Sequence, residues 1–244
     1  MKALLLAAGM GMRLRPLTET IPKCLVQING KALLSYWIEL LVQADIKEIL
    51  INTHYLSSQV NNFIEISKYA NYITLVHEEK LLGTGGTLIK NQGFFEDGPV
   101  ILIHSDNLSK FNMNEFIDTY MNRQNEVEIT MMTFITDAPQ TCGIIELDSS
   151  GIVRNLHEKV KNSPGDLANG AVYIISSSVI DYIKSLNKSF VDFSTEVLPH
   201  YIGKINTFHN RCYHRDIGNL DSLEKGNQEY SNLISISTIS NNGK

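Results

Sequence analysis

Cysteine is scarce in this 244-residue sequence: Cys24, Cys142 and Cys212 stand far apart. Three scattered thiols exclude a disulfide framework, offer no zinc-ligand spacing and suit a reduced compartment. Cys24 reads as a buried structural cysteine in preference to a catalytic thiol. No apolar run reaches the roughly eighteen residues of a membrane span, so no membrane contact is expected. The N-terminus opens a strand at once, without a charged region, apolar core and cleavage site in series, so no secretory leader and a cytoplasmic location are expected. Positive charge is not in excess. Lys+Arg number 21 against 26 Asp+Glu, a net charge of −5, which argues against a nucleic-acid partner. No internal repeat is visible, and with it no hexapeptide β-helix. Two common glycine signatures are missing as well. G-x-x-x-x-G-K-[ST] occurs nowhere. G-x-G-x-x-G fails at Leu14 after Gly9 and Gly11, which disfavours a dinucleotide oxidoreductase. No Ser-His-Asp or Cys-His arrangement is suggested.

What is present begins in the first twenty-five residues. Lys2 to Leu6 read as a short apolar strand, Ala7-Ala8-Gly9-Met10-Gly11 as a small-residue loop, and Arg13, Arg15 and Lys23 follow closely. Small residues let backbone approach a ligand, N–H groups face phosphate oxygens, and cations neutralise a polyanion. Apolar content of 43% and charge of 19% are ordinary for a globular protein of one large domain.

Periodicity then organises the first half. Residues 32–44 carry apolar positions at helical spacing, residues 49–51 and 72–76 read as strands, and Ser57 or Ser58 can cap a helix to about Lys68. A helix begins over 85–90. Residues 99–104 (PVILIH) form a continuous apolar run, as expected of a strand covered on both faces. A helix over 112–124 and a strand over 128–135 follow. Alternating strands and helices predict an α/β fold with a doubly wound, mostly parallel sheet, three layers deep, and ligands at the carboxyl ends of the strands. Asp106 falls at such an end, where a carboxylate has no purpose in the core. A magnesium ion would use one there, although Asp is also common in plain turns.

The second half reads as short strands over 144–147, 153–156, 171–175 and 205–208, with helices over 179–186, 195–201 and 220–230. This portion is expected to build onto the same sheet. Residues 231–244 are rich in Ser and Asn and read as a flexible tail; Ile234, Ile236 and Ile239 leave docking on the body or on a partner as the alternative.

The run G-x-G-x-R-L-x-P-L-T-x-x-x-P-K, Gly9 to Lys23, closely resembles the signature of the sugar-1-phosphate nucleotidyltransferases, or sugar-nucleotide pyrophosphorylases. The resemblance extends to about Tyr230. It implies a Rossmann-like, GT-A-like nucleotidyltransferase domain over 1–230, its nucleotide-binding half at 1–125 and a small β-rich sugar-binding half at 126–230. It implies Arg13, Lys23 and Asp106 as catalytic residues, and Mg²⁺ held by Asp106 and by Asp216 of the D-I-G-N string. Ala7, Ala8, Gly9, Gly11, Glu78, Gly83 and Thr84 are implied as nucleotide-binding. Gly143, Glu158, Lys159 and Asn169 are implied as holding the sugar phosphate, and Asp192 to Glu196 as a segment beside the sugar. Departures are Cys24 and Val160 where Pro is usual, and Asn219 for Thr, which can still cap a helix at Leu220.

The string E-E-x-L-L-G-T-G-G looks more like the guanylyltransferases for mannose- and heptose-type sugars. A carboxylate only accepts hydrogen bonds, which suits the N1–H and N2–H₂ donors of guanine. Glu78 is the candidate acceptor, with Glu79 the alternative. The expected function is transfer of a nucleotidyl group, GTP favoured, to a manno-type hexose or heptose 1-phosphate, making an NDP-sugar for surface polysaccharide or glycan synthesis. A uridylyltransferase for an amino or muramic-type sugar is the alternative within the family. A non-catalytic regulatory subunit is the alternative outside catalysis, although such a subunit would be expected to lose Arg13, Lys23, Asp106 or Asp216. Oligomeric state is left open.

Overall fold

A computed structural model describes residues 1–96 and 98–241 of the chain, those from 234 onward by backbone alone. In chain order the strands and α-helices are β1 (Lys2–Leu6), β2 (Gln27–Ile28), β3 (Lys31–Ala32), α1 (Leu33–Gln43), β4 (Ile49–Thr53), α2 (Ser57–Glu65), β5 (Ile73–His77), α3 (Gly83–Lys90), β6 (Val100–His104), β7 (Asn107–Lys110) and α4 (Met113–Met121). The second half continues with β8 (Ile129–Ile135), β9 (Gly143–Leu147), β10 (Val153–Glu158), β11 (Leu167–Ile175), α5 (Ser177–Ser185), β12 (Ile205–His209), β13 (Tyr213–Asp216) and α6 (Leu220–Asn241).

Nine strands among the described residues build the main sheet. Its parallel part runs β6, β1, β4 and β5 side by side, with β5 at the edge. On the far edge β11 joins β6 antiparallel, then pairs with β8 and β9. The alternation of strand and helix is therefore met by a mostly parallel sheet, and the second half extends that sheet instead of forming its own.

The apolar runs have a direct consequence in packing. Successive strand residues point to opposite faces. Ala3, Leu5, Ile49, Ile51, Ile101 and Ile103 pack on one face with Trp37, Ile38 and Leu41 of α1, Val60 of α2 and Phe116 of α4. Leu4, Leu50, Val100 and Leu102 pack on the other with Leu88 of α3, Val179 and Ile183 of α5, and Phe193 and Leu198. Helices thus cover both faces, and three layers result.

Some boundaries move. The helix after Ser57 stops at Glu65, short of Lys68, and its N-cap is Leu56 with φ of 51° instead of a serine. The expected helix over 195–201 is a π turn at Phe193–Val197 followed by a 3-10 turn at Leu198–Tyr201. The last helix runs past Tyr230 to Asn241. The side chains of Ile234, Ile236 and Ile239 lie outside the described residues, as do residues 242–244 altogether.

Candidate active site

The carboxyl ends of β1, β4 and β6 open toward one cleft, and the loops there carry most of the site. After β1 the chain turns through Gly11, whose φ is +62°. A Cβ at Gly11 would sit 2.9 Å from the Thr18 side chain and 3.0 Å from Lys23 Cβ, so glycine allows this loop to fold over both. Thr18 Oγ1 donates to the Gly11 carbonyl at 2.7 Å and closes the loop.

Asp106 is fixed from both sides. Ser105 donates through N–H and Oγ to the Leu6 carbonyl. Trp37 Nε1 donates to the Asn107 carbonyl at 2.8 Å. Strand β7 then pairs with β13, with Asp216 opposite Asn107. That two-stranded ribbon is what brings two aspartates 110 positions apart into one cluster.

Lys23, only 6% exposed, reaches between them. Its Nζ lies 2.7 Å from Asp106 Oδ2 and 3.9 Å from Asp216 Oδ1. Arg13 approaches Asp216 from outside at 3.9 Å. Burial would raise the Asp106 pKa, but Lys23 and His104 oppose it and hold it below the ordinary value. Asp216 goes the other way: burial raises it, Asp106 adds to the rise, and Lys23 and Arg13 offset only part. The pair is therefore a cation-seeking site whose second carboxylate is the harder to keep ionised.

Two cavities meet here. The first, about 290 Å³, is lined by Ala7, Ala8, Gly9, Lys23, Asn52, Glu78, Leu81, Gly83, Thr84, Thr87, Asp106 and Phe190, among others. The second, about 310 Å³, is lined by Arg13, Asp106, Gly143, Glu158, Lys159, Asn169, Asp192, Ser194 and Asp216, among others. His104, Asp106 and Asp192 face both. The residues implied for nucleotide and for sugar phosphate thus fall into two adjoining spaces with Asp106 between them, except Gly11, which lines neither.

Glu78 is 1% exposed. Its Oε1 accepts from Asn52 Nδ2 at 2.9 Å and Thr87 Oγ1 at 2.6 Å, and its Oε2 accepts from the Leu82 N–H at 3.2 Å. Asn52 Oδ1 in turn accepts from the Ala7 N–H at 2.8 Å. Glu78 lines the first cavity while holding two loops together; Glu79 is exposed and does not line it. In the second cavity, β11 bulges between Asn169 and Tyr173, with Ala171 at φ of 53°. The bulge re-aims Asn169, whose Oδ1 accepts from the Ala171 N–H and whose Nδ2 donates to Tyr173 Oη. Lys159 Nζ pairs with Glu158 at 3.2 Å. Asn219 caps α6 by accepting from the Ser222 N–H at 2.8 Å. Burial, opposed in part by a backbone hydrogen bond, leaves the Cys24 thiol pushed up to about 12, an unreactive core thiol.

Sequence reasoning did not single out Asn52, Thr87, His104 or Phe190. His104 ends one apolar strand and Asn52 is the penultimate residue of another, close to the signal that marked Asp106. His104 Nε2 is buried without a hydrogen-bond partner among the described residues, and burial holds its pKa below the ordinary value.

A strand-delivered small-residue loop, clustered cations and paired carboxylates thus meet at one end of a doubly wound sheet. The chain belongs to the nucleotidyl transferase family, whose model matches residues 2–232. It is 32% identical over 190 residues to mannose-1-phosphate guanylyltransferase 1 of Arabidopsis thaliana, covering 75% of this chain and 52% of that protein. It is 27% identical over 232 residues to mannose-1-phosphate guanylyltransferase of Mycobacterium tuberculosis, covering 93% and 64%. The chain therefore spans about half to two thirds of those relatives' length. HddC from Yersinia pseudotuberculosis shares the fold with a TM-score of 0.79 at 23% identity, covering 94% of this chain and 99% of that one. A Bacillus anthracis chain provisionally named a glucose-1-phosphate thymidylyltransferase shares it with a TM-score of 0.85 at 22% identity, covering 93% and 94%.

Proposed function

We propose that the chain transfers a nucleotidyl group from a nucleoside triphosphate to a sugar 1-phosphate and releases pyrophosphate. The observation that carries this reading is Lys23, set between Asp106 and Asp216 where the two cavities adjoin. An oxygen of the sugar phosphate attacks the α-phosphorus in line, and pyrophosphate leaves on the opposite side. Such transfer rests on positioning and charge neutralisation more than on covalent help from the protein.

The placement of these side chains supports the following roles. Ala7, Ala8, Gly9, Gly83 and Thr84 hold the nucleotide, residues 1–125 supplying most of its cavity. Lys23 sits on the α-phosphate, and Arg13 on the leaving β- and γ-phosphates. Lys159 holds the sugar phosphate, with Gly143, Glu158 and Asn169 around the sugar in the half formed by 126–230. Asp106 and Asp216 offer hard oxygens at a place already taken by an ammonium group, which suits Mg²⁺. Among the described residues no third acidic, His or Cys side chain joins them; an ion that takes its remaining ligands from substrate phosphates needs none. Bound there, it would neutralise phosphate charge.

GTP and a manno-type sugar are the favoured substrates. Support comes from the names of the two guanylyltransferase relatives and from Glu78, whose Oε2 accepts only the Leu82 N–H among the described residues. Removing one such charge-stabilising group costs about 10²–10³ in rate. Lys23→Ala and Arg13→Ala should each lower pyrophosphate release by about that factor while thermal unfolding stays cooperative. Wild-type turnover in both variants would refute the assignment.

A further inference from the structure

Among the described residues Phe190 is the one phenylalanine left exposed, at 53%, and it stands at the mouth of the first cavity. Leu81, 41% exposed, lines the same mouth. A single exposed apolar side chain needs no explanation. A ring held over a cavity by a docked segment does, and the segment that carries Phe190 is docked. Its neighbour Val191 donates its N–H to the Leu82 carbonyl at 3.0 Å, and the Val191 carbonyl accepts from the N–H groups of Gly85 and Gly86. Two residues on, the Phe193 N–H donates to Thr84 Oγ1 at 2.7 Å.

The glycines of Gly83-Thr84-Gly85-Gly86 make this docking possible. A Cβ at Gly83 would lie 2.4 Å from the Val191 carbonyl oxygen and 3.2 Å from the Phe190 ring, and one at Gly85 2.9 Å from the Val191 side chain. Gly83 also has φ of +75°. The string therefore serves to let a segment of the second half lie directly on α3, and that segment carries an aromatic face to the nucleotide cavity.

We propose that Phe190 stacks on the nucleobase. The proposal rests on the nucleotidyl-transfer reading of this cavity and adds a base contact from the half otherwise given to the sugar. An aromatic face stacks on any base, so the contact supplies affinity without selecting the base.

The test measures dissociation constants of GTP, UTP and inorganic tripolyphosphate for wild type, Phe190→Ala and Phe190→Trp, without sugar phosphate. Loss of one stacking contact corresponds to about 5- to 150-fold weaker binding. Phe190→Ala should weaken GTP and UTP by a similar factor in that range and leave tripolyphosphate unchanged. Phe190→Trp should restore binding, with its fluorescence quenched on adding nucleotide. Unchanged GTP affinity in Phe190→Ala, with wild type binding normally, would overturn the stacking role alone. A change of sedimentation with unchanged affinity would assign the ring to contact between copies and overturn it too. Failure of wild type to bind any triphosphate would overturn the nucleotidyl-transfer reading as well.

Discussion

At the scale of the residue, charge and burial are set against each other throughout this site. His214, next to Arg215 on β13, packs its ring 4.3 Å from that of Phe134. Burial pushes its pKa down from 6.5 to about 3, with Asp106 opposing and Arg215 adding. A folded value below the unfolded one means that the unfolded chain binds more protons between about pH 3 and pH 6.5. Stability therefore rises with pH across that window and is lost on acidification. His214→Asn should flatten the fall in melting temperature between about pH 7.5 and pH 5, whatever it does to the absolute value. A slope as steep as wild type would show that His214 is not a source of acid sensitivity. Residue identities were the most legible layer of the sequence: Arg13, Lys23, Asp106 and Asp216 were all expected, and the structure brings them together. Glu78 was expected as a ligand contact, and its bonds to Asn52 and Thr87 were not foreseeable. They depend on a pairing of β4 with β5 that no local pattern encodes.

At the scale of the element, the strand ends do the organising. Asn52 is the penultimate residue of β4, Ala7 follows β1, and Glu78 follows β5. One buried amide links all three by accepting from Ala7 and donating to Glu78. Asn52→Ala would leave a buried N–H and a buried carboxylate oxygen each short of a partner, at a cost of about 1–3 kcal/mol. Denaturant unfolding should show that loss. A change below about 0.5 kcal/mol, ordinary for surface sites, would mean that the network does not stabilise the fold. Elements with strong periodicity were legible: the buried faces of α1 and of β1, β4 and β6 follow from their apolar positions. The ribbon of β7 and β13 was not. Its residues NLSK and YHRD have no apolar alternation, and their pairing spans more than a hundred residues. The π turn at Phe193–Val197 escaped for a similar reason, being shaped by Asp192, whose side chain accepts from the Thr195 N–H, and by packing of Phe193 in the core.

At the scale of the whole molecule, one sheet carries both halves, and the cleft lies where its strands change from parallel neighbours to antiparallel ones. β6 is the dividing line: β1 pairs with it parallel, β11 antiparallel, and Asp106 follows it. Two cavities on either side of one aspartate suit the proposed reaction, in which two anionic substrates meet at one phosphorus. The doubly wound class was legible from strand–helix alternation, because continuous apolar runs require cover on both faces. The antiparallel side was legible only as a series of short strands, since their register depends on the bulge at Asn169–Tyr173. No helix among the described residues is long and apolar enough to cross a membrane. The central claim is transfer of a nucleotidyl group between these cavities. Its most direct test is pyrophosphate release by the purified chain with Mg²⁺, crossing GTP, UTP, CTP, dTTP and ATP with hexose and heptose 1-phosphates. The account predicts release that requires both substrates and is fastest with GTP and a manno-configured sugar. Fastest release with UTP would keep the reaction and remove the base role given to Glu78, whereas no release with any pair would contradict the account.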